Sequence, residues 1–228
     1  MISTAAFLAL AIQCAPDVAP DTLTRIVKTE SGFNPWAIGV VGKSLKRQPQ
    51  TKEEALAAVK QLVKENANFS IGLAQINRQY FNADDAEEIF SPCTNLKMSS
   101  DLIKDCYSRA LKSSANEQQA LLKTFSCYYS GNYTRGFVKE NNGTSYVDRV
   151  VAVNTTGIKA NGIKVPALND EGIPEQSPRQ ERPTYDAWDV LQQYPKYSVP
   201  TQSNSAPTQG ISEPSADTTQ EEQTDVKS

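Results

Sequence analysis

The fold of this chain is decided by the stretch Ile26-Val27-Lys28-Thr29-Glu30-Ser31-Gly32-Phe33-Asn34-Pro35. The apolar residues in and before this stretch recur at helical spacing: Leu23, Ile26 and Val27. Because Asp21 can cap the first turn, the pattern predicts an amphipathic helix over residues 22–31. Gly32 and Pro35 both end helices. The helix is therefore expected to end at Ser31 with Glu30 in its last turn, where an opening in the surface is expected.

Glu30 has an unusual position on this helix. At about 100° per residue it projects between Leu23 and Ile26, on the apolar side. Desolvation there raises the pKa of a carboxyl group towards neutrality, which suits a general acid that works near pH 7. The alternative is an interface carboxylate that reaches water or pairs with Arg25 or Lys28.

Length and composition limit the possible functions. The 228 residues can form one well-buried domain with some extra length. The net charge of -3 gives no basic footprint for nucleic acid. The chain has no histidine, which excludes Ser-His-Asp and Cys-His catalysis and disfavours zinc and haem sites. We therefore expect neither a metal nor an organic cofactor.

The chain has four cysteines, and none of them forms a C-x-x-C pair: Cys14, Cys93, Cys106 and Cys127. Metal-ribbon and thioredoxin-like functions are disfavoured by this spacing. Two disulfides in an oxidising compartment are expected, and four buried thiols are the alternative.

Helix geometry favours one disulfide pairing. Cys93 and Cys106 lie on or beside one helix that is expected to start near Asn95, which separates them by about 20 Å, too far for a bridge. Cys106 and Cys127 face each other across a short connection between two helices. The expected pairs are therefore Cys14–Cys93 and Cys106–Cys127.

Further helices are indicated along the chain. The apolar run at residues 5–12 is too short to span a bilayer and no Lys or Arg precedes it, so it is interpreted as the first helix of the domain. A weak or uncleaved export signal is the alternative. Other helical patterns begin at a capping box, Thr51-x-x-Glu54, at Asn95, at Asn116 and at Ser145.

Two segments combine glycine, amide and aromatic residues. In residues 69–77, Gly72 would allow a ligand to approach the backbone, while Gln75 and Asn77 can donate and accept hydrogen bonds as sugars require. Tyrosines 128, 129 and 133 lie around a helix end and are suited to stacking on sugar faces. The alternatives are a buried turn with satisfied amides and an aromatic cover over the core.

The composition changes after Thr155. Residues 156–228 are rich in Pro, Gln, Ser, Thr and acidic residues, and we expect them to form a disordered tail. A short aromatic island at 185–197, including Tyr185 and Trp188, interrupts this tail. It is interpreted as a motif that docks on a partner or back onto its own domain.

Four short segments occur in a fixed order: Glu30-Ser31-Gly32-x-Asn34-Pro35, Gly72-Leu73-Ala74-Gln75-Ile76-Asn77, Pro92-Cys93-x-Asn95-Leu96 and Tyr128-Tyr129-Ser130-Gly131. Over residues 7–153 the chain resembles the peptidoglycan lytic transglycosylases. The Cys14-Ala15-Pro16 start and the proline-rich tail are most similar to members associated with bacterial type IV secretion systems. The resemblance implies a mainly α, lysozyme-like single domain at residues 1–155.

The resemblance also implies residue roles. Glu30 would be the catalytic acid, Gln75 and Asn77 would line the saccharide groove, and Tyr128 would help position the scissile sugar. Neighbouring motif residues are expected to contact substrate as well: Ser31, Gly72, Leu73 and Tyr129. Two residues depart from the family pattern, since Ala74 replaces a frequent methionine and Tyr129 replaces a usual asparagine.

The acidic residues around Glu30 favour a non-hydrolytic reaction. No Asp occurs between Asp21 and Asp84, and the glutamates of the following helix lie on its surface. Ordinary glycosidases need two carboxylates. One acid working alone fits cleavage of peptidoglycan glycan strands with formation of 1,6-anhydro-N-acetylmuramic acid. The rival hypotheses are a lysozyme-type hydrolase and a non-catalytic glycan-binding scaffold.

The resemblance places such a protein in the periplasm. Its expected partners are the glycan strands and type IV secretion components, the latter through the C-terminal tail. Neither nucleic acid nor an integral membrane span is expected.

Overall fold

The computed structural model describes residues 1–156, 158 and 164–168. Helices form most of the regular structure in these residues, together with one small antiparallel sheet, as the mainly α prediction requires. The remainder of the expected tail, with the aromatic island at 185–197, lies outside the described residues. The elements are α1 (Thr4–Cys14), α2 (Pro20–Ser31), β1 (Ile38–Val40), α3 (Lys52–Lys64), β2 (Phe69–Ile71), β3 (Ile76–Asn77), α4 (Ala86–Ile89), α5 (Pro92–Leu111), α6 (Glu117–Ser130) and α7 (Tyr146–Val151).

Helix α2 begins earlier than the sequence predicts. Pro20 occupies the first turn, where its missing N–H costs nothing, and Ala19 is the N-cap. The expectation that Asp21 caps this helix was wrong. Its buried carboxylate instead accepts hydrogen bonds from Arg25 Nε at 3.1 Å, from the backbone N–H of Leu168 at 3.2 Å and from the hydroxyl of Thr155.

The end of α2 follows the prediction. Gly32 adopts a left-handed conformation with φ 58°, and its N–H donates to the carbonyl of Lys28. Leu23, Ile26 and Val27 are fully buried in the core. The apolar side of α2 is therefore fixed inside the domain, with Glu30 in its last turn.

Helix α5 also starts earlier than predicted, at Pro92 rather than near Asn95, because proline fits the first turn of a helix. Two disulfides connect the helices: Cys14–Cys93 joins α1 to α5, and Cys106–Cys127 joins α5 to α6. These are the two pairs that the sequence favours.

The sheet has the strand order β1-β2-β3, with both pairs antiparallel. Ile38 lies opposite Ile71, and Ser70 lies opposite Asn77. Between β2 and β3 the chain makes a tight turn that contains Gln75. The sheet and this turn bring the amide residues of the predicted groove to one edge of the domain.

Asn95 holds the turn between β2 and β3 from below. Its buried amide nitrogen donates to the carbonyls of Ile71 at 3.1 Å and Ile89 at 3.0 Å, and its oxygen accepts from the N–H of Ala74 at 2.8 Å. A Cβ on Gly72 would lie 2.2 Å from Asn95 Nδ2. The glycine is therefore needed to make room for Asn95, which corrects the expectation that it allows a ligand to approach.

The packed domain extends beyond the boundary expected at residue 155. Val165 and Leu168 are buried, and Val165 pairs with Val18 in an isolated β-bridge. The hydroxyl of Thr22 donates to the carbonyl of Pro166 at 2.6 Å. In the sequence, Pro166 and the few apolar residues around it resemble the tail. In the structure, the Pro166 carbonyl anchors this segment to α2.

Within the described ranges, no helix is both long enough and apolar enough to cross a membrane.

Replacement of Asn95 by alanine is expected to destabilise the domain strongly. Two buried carbonyls and one buried N–H would lose their partner, at a cost of about 3 kcal/mol or more in the free energy of unfolding. Asn141→Ala, at an exposed position, should change it by less than about 0.5 kcal/mol. Urea unfolding measures both, and equal midpoints for the two variants would contradict the role of Asn95.

Candidate active site

A cleft of about 670 Å³ runs between the sheet and the end of α6. Glu30 is the one carboxylate among the described residues that line it. Amide and small residues from the sheet side form one wall, and tyrosines with the second disulfide form the other. The lining residues are Glu30, Gly39, Val40, Val41, Asn68, Ser70, Gln75, Asn77, Gln79, Tyr80, Leu102, Cys106, Cys127, Tyr128, Tyr129, Ser130 and Gly131.

The Glu30 side chain is largely desolvated although part of the residue faces the cleft. The phenol of Tyr146 donates to its Oε1 at 2.5 Å. Burial raises the pKa of Glu30 to about 7, and the Tyr146 hydrogen bond and the positive charge of Arg149 oppose this rise only in part. A substantial fraction of Glu30 is therefore protonated at neutral pH, as a general acid requires.

The two cations considered as partners of Glu30 are engaged elsewhere. Arg25 pairs with Asp21 at 3.1 Å and donates to the carbonyls of Val151 and Val153. The ammonium of Lys28 lies 5.5 Å from the ring centre of Phe33. The structure thus disfavours a simple interface ion pair for Glu30.

Sequence reasoning missed Tyr146 as a site residue. It was recognised only as part of an apolar helical pattern, and it lies 116 residues from Glu30 along the chain. One signal was available, because a tyrosine on the buried face of a helix needs a partner for its hydroxyl group. The capping box of Ser145 and Asp148 fixes the start of this short helix and so orients Tyr146.

Tyr129, which departs from the family pattern, supports Tyr146. The two rings stack with centres 4.5 Å apart and planes 13° apart. The hydroxyl of Tyr129 donates to Glu140 at 2.9 Å, and Glu140 accepts from Arg149 at 2.8 Å. Because Arg149 also lies over the ring of Tyr146, these contacts form a closed cycle beside Glu30.

Tyr128 lines the cleft with its ring while its hydroxyl group points into the floor. The hydroxyl donates to the carbonyl of Ala74 at 2.6 Å and lies 3.1 Å from Ser99 Oγ. Burial raises the pKa of the Tyr128 phenol, so the group stays neutral. Ala74 is itself fully buried in the turn. Tyr128 is thus a fixed wall of the cleft, and its role in positioning the scissile sugar stays a prediction.

Gln75 and Asn77 both lie in the cleft wall. Gln75 has a left-handed φ of 52°, which costs about 1 kcal/mol for a residue with a Cβ. Its amide nitrogen donates to the carbonyls of Ala37 and Gly72 at 3.1 and 3.0 Å. The amide nitrogen of Asn77 donates to Asn68 at 2.9 Å. Both side chains are therefore held rigidly before any ligand enters.

Three residues expected to contact substrate do not line the cleft. The hydroxyl of Ser31 donates to the carbonyl of Val27 at 3.2 Å. Gly72 and Leu73 are buried in the turn above Asn95. Gly72 and Leu73 therefore support the cleft wall from the interior of the domain and do not contact the cleft.

In the part of the chain that the structure describes, no group of three or more Cys, Asp or Glu side chains is placed to hold a metal ion.

Comparison with known proteins gives a family match over residues 7–149, to the family described as "Transglycosylase SLT domain". The "Type IV secretion system protein virB1" of Brucella abortus biovar 1 (strain 9-941) is 50% identical over 149 residues, which are 64% of this chain and 63% of that protein. The chain thus matches slightly less than two thirds of the length of this relative.

Two more distant relatives are each named "Protein virB1". The protein of Rhizobium radiobacter is 31% identical over 201 residues, or 86% of this chain and 77% of that protein. The protein of Agrobacterium fabrum (strain C58 / ATCC 33970) is 32% identical over 140 residues, or 60% and 56%. No solved structure gives a significant match.

The raised pKa of Glu30 predicts a specific dependence of stability on pH. Between the ordinary value of 4.5 and about 7, the folded protein binds more protons at Glu30 than the unfolded chain does. The free energy of unfolding therefore falls as the pH rises through this window. We expect Glu30→Gln to be more stable than the wild type near pH 8 and similar to it near pH 4.

Urea unfolding of both proteins across this pH range measures the effect. Other titrating groups are shared by the two proteins and cancel in the difference. A difference in stability that stays constant from pH 4 to pH 8 would show that Glu30 has an ordinary pKa.

Proposed function

Because the chain belongs to the transglycosylase SLT domain family, we propose that it is a lytic transglycosylase of peptidoglycan. It cleaves the MurNAc-β-1,4-GlcNAc bond and leaves a 1,6-anhydro-MurNAc end. The observation that carries this proposal is a single desolvated carboxyl group, Glu30, in a cleft of amides and tyrosines. Burial there raises its pKa to about 7.

In the first step, protonated Glu30 transfers its proton to the oxygen that links MurNAc to GlcNAc. The C1–O bond breaks, its electron pair goes to that oxygen, and GlcNAc leaves with a free 4-hydroxyl group. The N-acetyl oxygen of MurNAc stabilises the positive charge that develops at C1. Tyr146 donates its hydrogen bond to the carboxylate that Glu30 becomes.

In the second step, the Glu30 carboxylate accepts the proton of the C6 hydroxyl group of the same MurNAc. O6 forms a bond to C1 and closes the 1,6-anhydro ring. Glu30 is protonated again and no water is consumed. One residue thus serves first as acid and then as base, which suits a pKa near the working pH.

The composition of the cleft supports this route over hydrolysis. Hydrolytic glycosidases use a second carboxylate about 5 to 10 Å from the first, as nucleophile or to activate water. Among the described residues of the cleft lining, Glu30 has no such companion. The next acid beyond Tyr129 is Glu140, and its charge is paired with Arg149.

We also propose a cellular role for this activity. The Brucella relative is named a type IV secretion system protein, and we propose that this chain opens the cell wall locally for such a system. Two disulfides fit the oxidising periplasm. The C-terminal tail, with its aromatic island at 185–197, is the proposed contact to secretion components.

Replacement of Glu30 by glutamine tests whether the chain is a catalyst. Glutamine keeps the shape but has no proton to transfer, so lysis of purified cell walls should slow by at least about 100-fold. Glu88→Gln, an exposed glutamate on α4, is the matched control and should retain the wild-type rate. Equal lysis by the two variants would contradict the assignment. Absence of lysis by the wild type would favour the glycan-binding scaffold.

Product analysis separates a lyase from a hydrolase on the same fold. Mass spectrometry of wild-type digests of purified sacculi should show muropeptides with 1,6-anhydro ends, which are lighter than reducing ends by one water. Reducing MurNAc ends without anhydro products would identify a lysozyme-type hydrolase.

A further inference from the structure

A second groove of about 540 Å³ lies beside the cleft and shares Tyr129 with it. The function proposed above makes no use of this groove, which we name the side groove. It is lined by Tyr129, Arg135, Val138, Lys139, Glu140, Asn141 and Asn142.

Two asparagine-centred turns shape the side groove. Asn132 Oδ1 accepts from the backbone N–H groups of Thr134 and Arg135 at 2.8 and 3.0 Å, which starts a short 3-10 helix at Arg135. Asn142 Oδ1 accepts from the N–H of Thr144 at 3.0 Å. The 3-10 helix packs against α6, because the N–H of Gly136 donates to Ser126 Oγ at 2.8 Å.

The charged residues that line the side groove are two cations, Arg135 and Lys139, and one anion, Glu140. The charge of Glu140 is satisfied, because it accepts from Arg149 at 2.8 Å and from the Tyr129 hydroxyl at 2.9 Å. Arg135 and Lys139 form no salt bridge with any residue that the structure describes. A ligand that brings carboxylates would therefore find two available cations here.

The stacked rings of Tyr146 and Tyr129 lie between Glu30 and the side groove. Tyr146 donates to Glu30 at 2.5 Å, and the Tyr129 ring lies 4.5 Å from the Tyr146 ring, with the side groove on its other edge. A substituent on the sugar next to Glu30 can cross this distance, because an extended peptide advances about 3.4 Å per residue.

We propose that the side groove binds the stem peptide of peptidoglycan, which is attached through the lactyl group of the MurNAc beside Glu30. This inference rests on the function proposed above. The glycan offers no anion to Arg135 and Lys139, because the muramyl carboxyl group is consumed in the amide link to the peptide. The stem carries free carboxylates, and these match the two cations.

The other lining residues suit a short peptide. The side chains of Asn141 and Asn142 offer amide donors and acceptors to a peptide backbone. Val138 is 52% exposed and offers an apolar contact to the methyl groups of alanine residues. A sugar ring would leave both cations unpaired.

The test compares two substrates with the full chain: soluble glycan strands that carry stem peptides, and the same strands after the stem carboxylates have been converted to neutral amides. We expect the wild type to cleave the strands with free stem carboxylates with a kcat/KM about tenfold higher than the amidated strands, as two exposed ion pairs would give. In the double variant R135Q/K139Q the ratio of the two kcat/KM values should fall close to one. Because both substrates meet the same folded fraction, the ratio is insensitive to partial misfolding.

The matched control is K60Q/K112Q, which removes two exposed lysines outside both grooves, and it should keep the wild-type ratio. Equal cleavage of both substrates by the wild type, or an unchanged ratio in R135Q/K139Q, would overturn the peptide site and leave the proposed cleavage intact. If the wild type cleaved neither substrate, the proposed function would fail and the peptide site with it.

Discussion

Arg25 holds α2 and α7 together from inside the domain. Its guanidinium group pairs with buried Asp21 and donates to two carbonyls, that of Val151 at the end of α7 and that of Val153 just after it. Removing one partner of such a buried pair is costly, so the distance between the two helices is strongly fixed. Because α7 carries Tyr146, this constraint also determines where the phenol meets the Glu30 carboxyl group in the last turn of α2.

The proposed chemistry depends on this arrangement. A carboxyl group in open water would have lost its proton at neutral pH, and a fully enclosed one could not reach a substrate. Glu30 lies between these extremes, with an apolar helix face behind it and the cleft in front. Its raised pKa means that the charged form is disfavoured in the folded protein, so this part of the site lowers stability near neutral pH.

Local patterns in the sequence predicted local features of the molecule. The face on which Glu30 lies, the stop at Gly32 and the disulfide pairs all follow from helix geometry and residue type. The features that were missed or wrongly interpreted depend on contacts between distant parts of the chain. Tyr146 lies 116 residues from Glu30 in the chain. The carboxylate of Asp21 does not cap α2, because it accepts hydrogen bonds from Arg25 and from the backbone N–H of Leu168. The periodicity of apolar residues does not reveal such long-range contacts, because each partner fits the local pattern of its own segment.

The proposed acid role of Glu30 depends most directly on the pKa of its carboxyl group. A carbon-13 NMR titration of the side-chain carboxyl carbons, with the Glu30 signal assigned by its loss in the Glu30→Gln variant, measures this pKa in the folded wild-type chain. We expect a titration midpoint of about 7 for Glu30. A midpoint near the ordinary 4.5 would mean that the group is well solvated, and the acid role would be contradicted.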